Sequence, residues 1–332
     1  MKTVSSLLDK AWHERYRRIA SLNIRSSIYD VTNQCNLRCK GCFFFSSNEH
    51  LAAPEEMDLD KWYAFVAKEK QRGVNLAILI GGEPTLYLDR VEAFYRQLPT
   101  YCATNGQIKI PRDRFPDMMV GISLWGDEED EKVLRGKDTF AVSWRHYEGD
   151  PYTYYLYTIT ANQVGRIESV VKKIADAGLK VHFQLLTNDE GVDGFFWSED
   201  KLRDVRSEMD DMLDRYPRTV ISCRYYHEII TTGKMLGRPF GWNECPSVTE
   251  QLDTRNPRPK RLIHFVRWAS DLKTMHRCCT SETRDCSTCK DGAAHMSWVM
   301  VNKREHLRSA VDFQNWIEVY EMFAKLYRFI PW

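Results

Sequence analysis

The sequence has almost no charge bias, no long apolar run, no internal repeat and no low-complexity tract, and each absence narrows what it can be. Its 47 basic side chains against 46 acidic ones leave a net charge of +1, so charge implies no nucleic acid or other polyanion as partner. No stretch approaches the ~20 apolar residues that cross a bilayer, and the N-terminal stretch MKTVSSLLDKAWHERYRRIA lacks the continuous apolar segment of a secretory signal. No membrane span is expected, and the cytoplasm is the expected compartment. What the sequence does hold is cysteine, ten in 332 residues, with three between positions 35 and 42 and four between 278 and 289. In a reducing compartment such close spacings point to metal binding or catalysis rather than to disulfides.

A single α/β barrel needs about 200 to 250 residues, which leaves roughly a hundred here for an extension. Apolar, β-rich runs at 27–32, 75–82, 118–126, 151–160, 179–187 and 218–226 alternate with helical patterns at 59–72, 89–97, 127–135, 165–177 and 198–215. Repeated βα units favour a parallel sheet with right-handed crossovers, either open or closed into a full or partial barrel. After residue 227 the alternation stops in TTGKMLGRPFGWNECPSVTEQLDTRNPRPKR, whose Gly, Pro and polar content marks an irregular region. DFQNWIEVYEMFAKLYRFIP then spaces its apolar residues as an amphipathic helix does. The expected parts are a helical lead-in over 1–25, a catalytic α/β unit over 26–226 and an extension over 227–332.

Cys35, Cys39 and Cys42 stand as C-x3-C-x2-C just after the first expected strand. Three thiolates can each take one iron of a cubane and leave the fourth corner open for a ligand, whereas structural zinc wants four protein ligands. Here the sequence resembles the radical S-adenosylmethionine (SAM) superfamily, over roughly residues 26–226. The resemblance implies a partial (β/α)6 TIM-type barrel whose 4Fe-4S cluster cleaves SAM to a 5′-deoxyadenosyl radical, with a reductant such as flavodoxin or ferredoxin. It continues in Gly81-Gly82-Glu83-Pro84, after the second strand, where glycines admit a close backbone approach. That turn is implied to bind the methionyl amino group. Thr104, after a short third strand, and Ser123 look like the positions that reach the ribose and carboxylate of SAM. One departure is Gly41, where many members carry an aromatic residue before the third cysteine; here Phe43, Phe44 and Phe45 follow it instead.

A second constellation comprises Cys245, Cys278, Cys279, Cys286 and Cys289. Four thiolates drawn from it, with one of Cys278 and Cys279, satisfy a second, closed 4Fe-4S cluster or tetrahedral zinc. It resembles the auxiliary SPASM or twitch extensions of the same superfamily. Cys102 and Cys223 fall in expected strands and read as small buried hydrophobes. Strand alternation puts His182 and Gln184 on one face and Ser222, Arg224 and Tyr226 on another, which makes His182, Gln184, Arg224 and Tyr226 the substrate-facing candidates. The acidic runs at 127–131 and 207–214 read as solvated helix faces. The leading reading is a biosynthetic enzyme acting on a small molecule. The alternatives are a peptide or protein maturase of the SPASM/twitch type and, from another class, a non-enzymatic iron–sulfur or zinc scaffold.

Overall fold

The computed structural model describes residues 7–46, 54–186, 195–240, 267–276 and 289–332. Strands β1 (Ser26–Asp30), β2 (Leu76–Ile80), β3 (Thr100–Thr104), β4 (Met119–Leu124), β5 (Thr153–Ile159) and β6 (Lys180–Leu185) are neighbours in that order and all parallel. Helices α1 (Lys10–Ala20), α2 (Leu59–Gln71), α3 (Leu88–Tyr95), α4 (Glu128–Arg135), α5 (Thr139–Tyr147), α6 (Ile167–Asp176) and α7 (Glu199–Arg215) precede, connect or follow them. Helix α6 shows why these segments form: Ile167, Val170, Val171 and Ile174 are buried at helical spacing, a stripe that covers the sheet while the other face stays wet. Asp58, Asp127, Asp138 and Ser198 cap α2, α4, α5 and α7 by accepting from first-turn amides. The result is the expected α/β partial barrel, with one β-edge at β6 and no closing pair among the described residues.

The other edge is supplied from far along the chain. Strand β7 (Arg267–Trp268) pairs in parallel with Ile28 and Tyr29 of β1, and β8 (Met275–His276) adds antiparallel to β7. Two short strands from the region after residue 227 thus join the sheet. That region also holds α9 (Gly292–Val301) and the expected terminal helix α10 (Ala310–Leu326). Helix α9 was not legible because GAAHMSWVMV has no polar face: Ala294, His295, Met296, Ser297, Trp298 and Val299 are all buried, and a helix buried all round loses the periodicity that reveals it.

Two expectations require correction. The run 218–226 is not a strand: only Val220 bridges Val181, and helix α8 (Arg224–Thr232) begins at once, with extended Cys223 before it and Gly233 in the left-handed conformation after it. The buried pairs Tyr225/Tyr226 and Ile229/Ile230 form a helical stripe that runs across 226, so a boundary between barrel and extension at that residue falls inside a helix. The acidic run 127–131 is not wholly solvated either, since Glu131 is fully buried.

The tie between the returning segment and the barrel is an ion pair. Arg267 donates from Nε and Nη2 to the carboxylate of Asp30, both bonds at 3.0 Å, with both side chains almost fully buried. Removing one partner of a buried pair strands the other charge in a low-dielectric interior, so Arg267→Ala is expected to cost about 3–5 kcal/mol. Urea denaturation of the variant at neutral pH checks this; a loss under about 1 kcal/mol, the range of an exposed pair, contradicts it.

Candidate active site

Loops that leave the C-terminal ends of β1, β2 and β3 meet around one buried carboxylate. Glu83 accepts from the amide and hydroxyl of Thr85 at 3.1 and 2.6 Å, from the hydroxyl of Thr104 at 2.7 Å and from the amide of Asn105 at 2.8 Å. Its own amide donates to Gln34 O at 2.7 Å, and the Gly82 amide donates to Thr32 O at 2.8 Å. The Gly-Gly turn is thereby laid against the start of the cysteine loop. A Cβ on Gly82 would collide with Gln34 O, and Gly81 has φ +124° with Thr32 O 2.7 Å from its Cβ position. These glycines are needed first for a backbone–backbone approach between two loops of the site. Asn105 adds a 2.7 Å bond to Asn36. Glu55, held by buried Arg90 at 2.5 Å, takes the Asn33 amide and the Thr32 hydroxyl.

Cys35, Cys39 and Cys42 are half-buried free thiols on this braced loop. Burial pushes the Cys35 thiol up to about 11, opposed by the Leu37 amide, and burial also raises Cys42. Iron binding therefore has to displace protons from these sulfurs. Three thiols on one loop match the one-thiolate-per-iron ligation of a 4Fe-4S cluster with an open corner, whereas a structural zinc site takes four protein ligands. Cys39 packs against Trp125, Leu134, Leu186 and Phe195. Gly41, at φ +69°, leaves room for the Phe195 ring, which lies 2.9 Å from the position of its absent Cβ. An aromatic ring from beyond β6 thus lies beside Gly41. Phe44 is buried beneath Arg267.

Thr104 uses its hydroxyl on Glu83 and accepts from the Gly106 amide, so it braces the turn. Ser123 is half-exposed near the end of β4, and its register partners on the inner face are Leu156 and, next, His182. Thr158 and Gln184 pair one layer nearer the strand ends and are half-exposed. His182 is fully buried and stacks on Tyr226; its Nδ1 lies 2.8 Å from Ile221 O, while Nε2 has no partner. Burial lowers its pKa to about 4, so near neutral pH Nδ1–H donates and Nε2 is a bare acceptor. Arg224 does not join this face: it is exposed on α8 and pairs with Asp214 at 2.6 Å. Tyr226 is a helical residue whose hydroxyl donates to Phe183 O, and Ser222 bonds His227 at 2.6 Å.

Sequence reading missed Glu131, hidden in the acidic run 127–131, and Arg135, one helical turn beyond it; the available signal was Gly136, a residue type that commonly ends a helix. Cys245, Cys278, Cys279 and Cys286 lie outside the described residues, and Cys289 precedes α9, accepting from the Asp291 amide. Cys102 and Cys223 are buried, and burial raises both thiols. A cavity of about 550 Å³ sits at the opposite end of the barrel, beside Lys180 at the start of β6, and so is not the place where the strand-end loops converge.

The radical SAM superfamily model matches residues 29–192. Among solved structures, polyhistidine-tagged anSMEcpe with bound AdoMet is 16% identical with a TM-score of 0.54, over 87% of this chain and 83% of that one. Native anSMEcpe with bound AdoMet gives 16% and 0.54 over 92% and 97%. Streptococcus suis SuiB bound to S-adenosylmethionine gives 18% and 0.46 over 61% and 52%. No curated protein matches the chain.

The close approach of the two loops has a direct consequence. Gly82→Ala places a methyl group against the Gln34 carbonyl, and the cysteine loop has to move. The variant is expected to lose the four irons of the cluster this loop would hold on anaerobic reconstitution, since each thiolate must meet its own iron. Iron analysis beside a far-UV spectrum checks this; normal iron uptake contradicts it.

Proposed function

Because this chain belongs to the radical SAM superfamily through residues 29–192, we propose that it holds a 4Fe-4S cluster on Cys35, Cys39 and Cys42, binds SAM at the open iron and takes a hydrogen atom from a small-molecule substrate. The observation that carries the reading is three free, half-buried thiols on one loop braced to the C-terminal ends of three parallel strands, the edge where α/β sheets bind ligands. When bound, the cluster supplies an electron that breaks the C5′–S bond of SAM, releasing methionine and a 5′-deoxyadenosyl radical. The chain's own residues position and exclude. Gly81 and Gly82 offer backbone without side chain beside the cysteine loop, Ser123 offers a hydroxyl, and Trp125, Leu186 and Phe195 form the apolar cluster on which Cys39 packs.

The inner face of β4–β6 supports a small polar substrate. Ser123, Thr158 and Gln184 are half-exposed polar side chains on it, and Gly292 of α9 closes against Gln184 and the Tyr226 hydroxyl, narrowing the space an extended peptide would need. We assign Cys245, Cys286, Cys289 and one of Cys278 and Cys279 to a second, closed 4Fe-4S cluster, with flavodoxin or ferredoxin as reductant. Each is a proposal from the thiolate inventory and the family.

Two measurements test the proposal. Single variants Cys35→Ala, Cys39→Ala and Cys42→Ala are expected to make no 5′-deoxyadenosine from SAM and dithionite; a variant that retains the wild-type rate removes the assignment. Reconstituted wild type is expected to hold about eight irons per chain, and the Cys286→Ala/Cys289→Ala double variant about four, with SAM cleavage retained. Four irons and one zinc in the wild type point instead to a structural zinc in the extension.

A further inference from the structure

Arg135 closes α4 with 3% of its surface exposed, and its surroundings are unusual for a cation. The guanidinium donates from Nη1 to Ser123 O, to Glu131 at 3.2 Å and to Thr139 at 3.0 Å, while Nε has no partner. Glu131 is itself fixed, accepting from the Trp125 amide at 2.5 Å and from the Thr139 hydroxyl. The C-terminal end of α4 abuts the cysteine loop: the Lys40 amide donates to Leu134 O at 2.7 Å, and Cys39 packs on Leu134. The Arg135 guanidinium lies near enough to the cysteine loop for its charge to be felt at Cys39 and Cys42. One fixed cation thus stands beside the loop where Cys39 packs against the apolar cluster of Trp125, Leu134, Leu186 and Phe195.

We propose that Arg135 is a positioning residue that tunes the cluster, its fixed guanidinium beside the cysteine loop raising the reduction potential by stabilising the added electron. The inference rests on the assignment of Cys35, Cys39 and Cys42 as cluster ligands. Hydrogen bonds to ligand sulfurs, local charge and solvent exclusion are the main protein controls on iron–sulfur potentials, and a charge acts more strongly where water is excluded. The Arg135–Glu131 pair is held by Ser123 O, the Trp125 amide and Thr139, none of which belongs to the cysteine loop, so the cation is fixed before any cluster is present. Glu131 is the anchor and Arg135 the acting charge.

The test is a redox titration, without SAM, of the anaerobically reconstituted full chain carrying Cys286→Ala/Cys289→Ala, so that only the N-terminal cluster titrates, followed optically and by the paramagnetic signal of the reduced cluster. This double variant is the wild-type reference for the Arg135 changes. Arg135→Gln is expected to lower the ratio of reduced to oxidised cluster at the wild-type midpoint about tenfold, or about 59 mV for one electron. Arg135→Lys keeps the charge and is expected to stay within about threefold of wild type by the same measure. An unshifted potential in Arg135→Gln, or an equal shift in both variants, overturns the inference. If Arg135→Gln folds but loses its iron while Arg135→Lys keeps it, the charge is required at the cluster and the inference stands. If both fold and neither keeps iron, Arg135 acts by loop structure alone and the inference falls. Wild type that takes up no 4Fe-4S cluster defeats the cluster assignment and the inference together, whereas a normal wild-type cluster with unshifted variants defeats only the inference.

Discussion

Glu83 is the constraint on which the site depends. A carboxylate this deeply buried is tolerable only if its lone pairs are satisfied, and here four donors from Thr85, Thr104 and Asn105 satisfy them. Those donors lie on the loops after β2 and β3, while the Glu83 amide holds Gln34 on the loop after β1. Three strand ends are locked by one side chain and its own peptide group. Displacing any of the three loops would leave a buried charge or peptide group without its partner.

The cysteine loop inherits its geometry from this lock and its electrostatics from the opposite side. Against Gly81 and Gly82 it meets backbone at distances no Cβ allows; against α4 it meets Leu134, Arg135 and the aromatic groups around Cys39. The burial that raises Cys35 and Cys42 also strengthens any charge held nearby. A short polar loop rich in thiols would otherwise sample many conformations. Here it is gripped on one face by hydrogen bonds and on the other by packing.

The described parts of the segment after residue 227 pack onto the barrel. The segment's return to β1 through Arg267 and Asp30 joins residues 237 positions apart, and its α9 packs against α8 and the open end of the inner face beside Gln184. Chain closure over so long a loop costs entropy before any contact rewards it, which is consistent with the tie being a buried bidentate pair rather than a surface one.

The cysteine spacing, the GGEP turn, the parallel α/β order and the closing amphipathic helix were determined by the sequence alone, because each rests on local pattern: ligand count, a glycine turn and periodicity over a few turns. Tertiary structure decided the rest. Val220–Tyr226 has strand composition, yet a helical stripe continuing to Ile230 wins once Cys223 and Gly233 bound it. Helix α9 is buried all round and so carries no period to read. Arg224 reads as a strand residue facing the lumen, but the helix turns it toward Asp214 and solvent. Glu131 reads as part of a solvated acidic run, yet it is fully buried and pairs with buried Arg135 where α4 meets the cysteine loop. His182 and Gln184 share the inner face as alternation implied, whereas the stacking on Tyr226 and the unpartnered Nε2 follow from how α8 and β6 meet. Local patterns are set by neighbours a few residues away, which a sequence displays; burial and charge environment are set by neighbours that only the completed fold brings together.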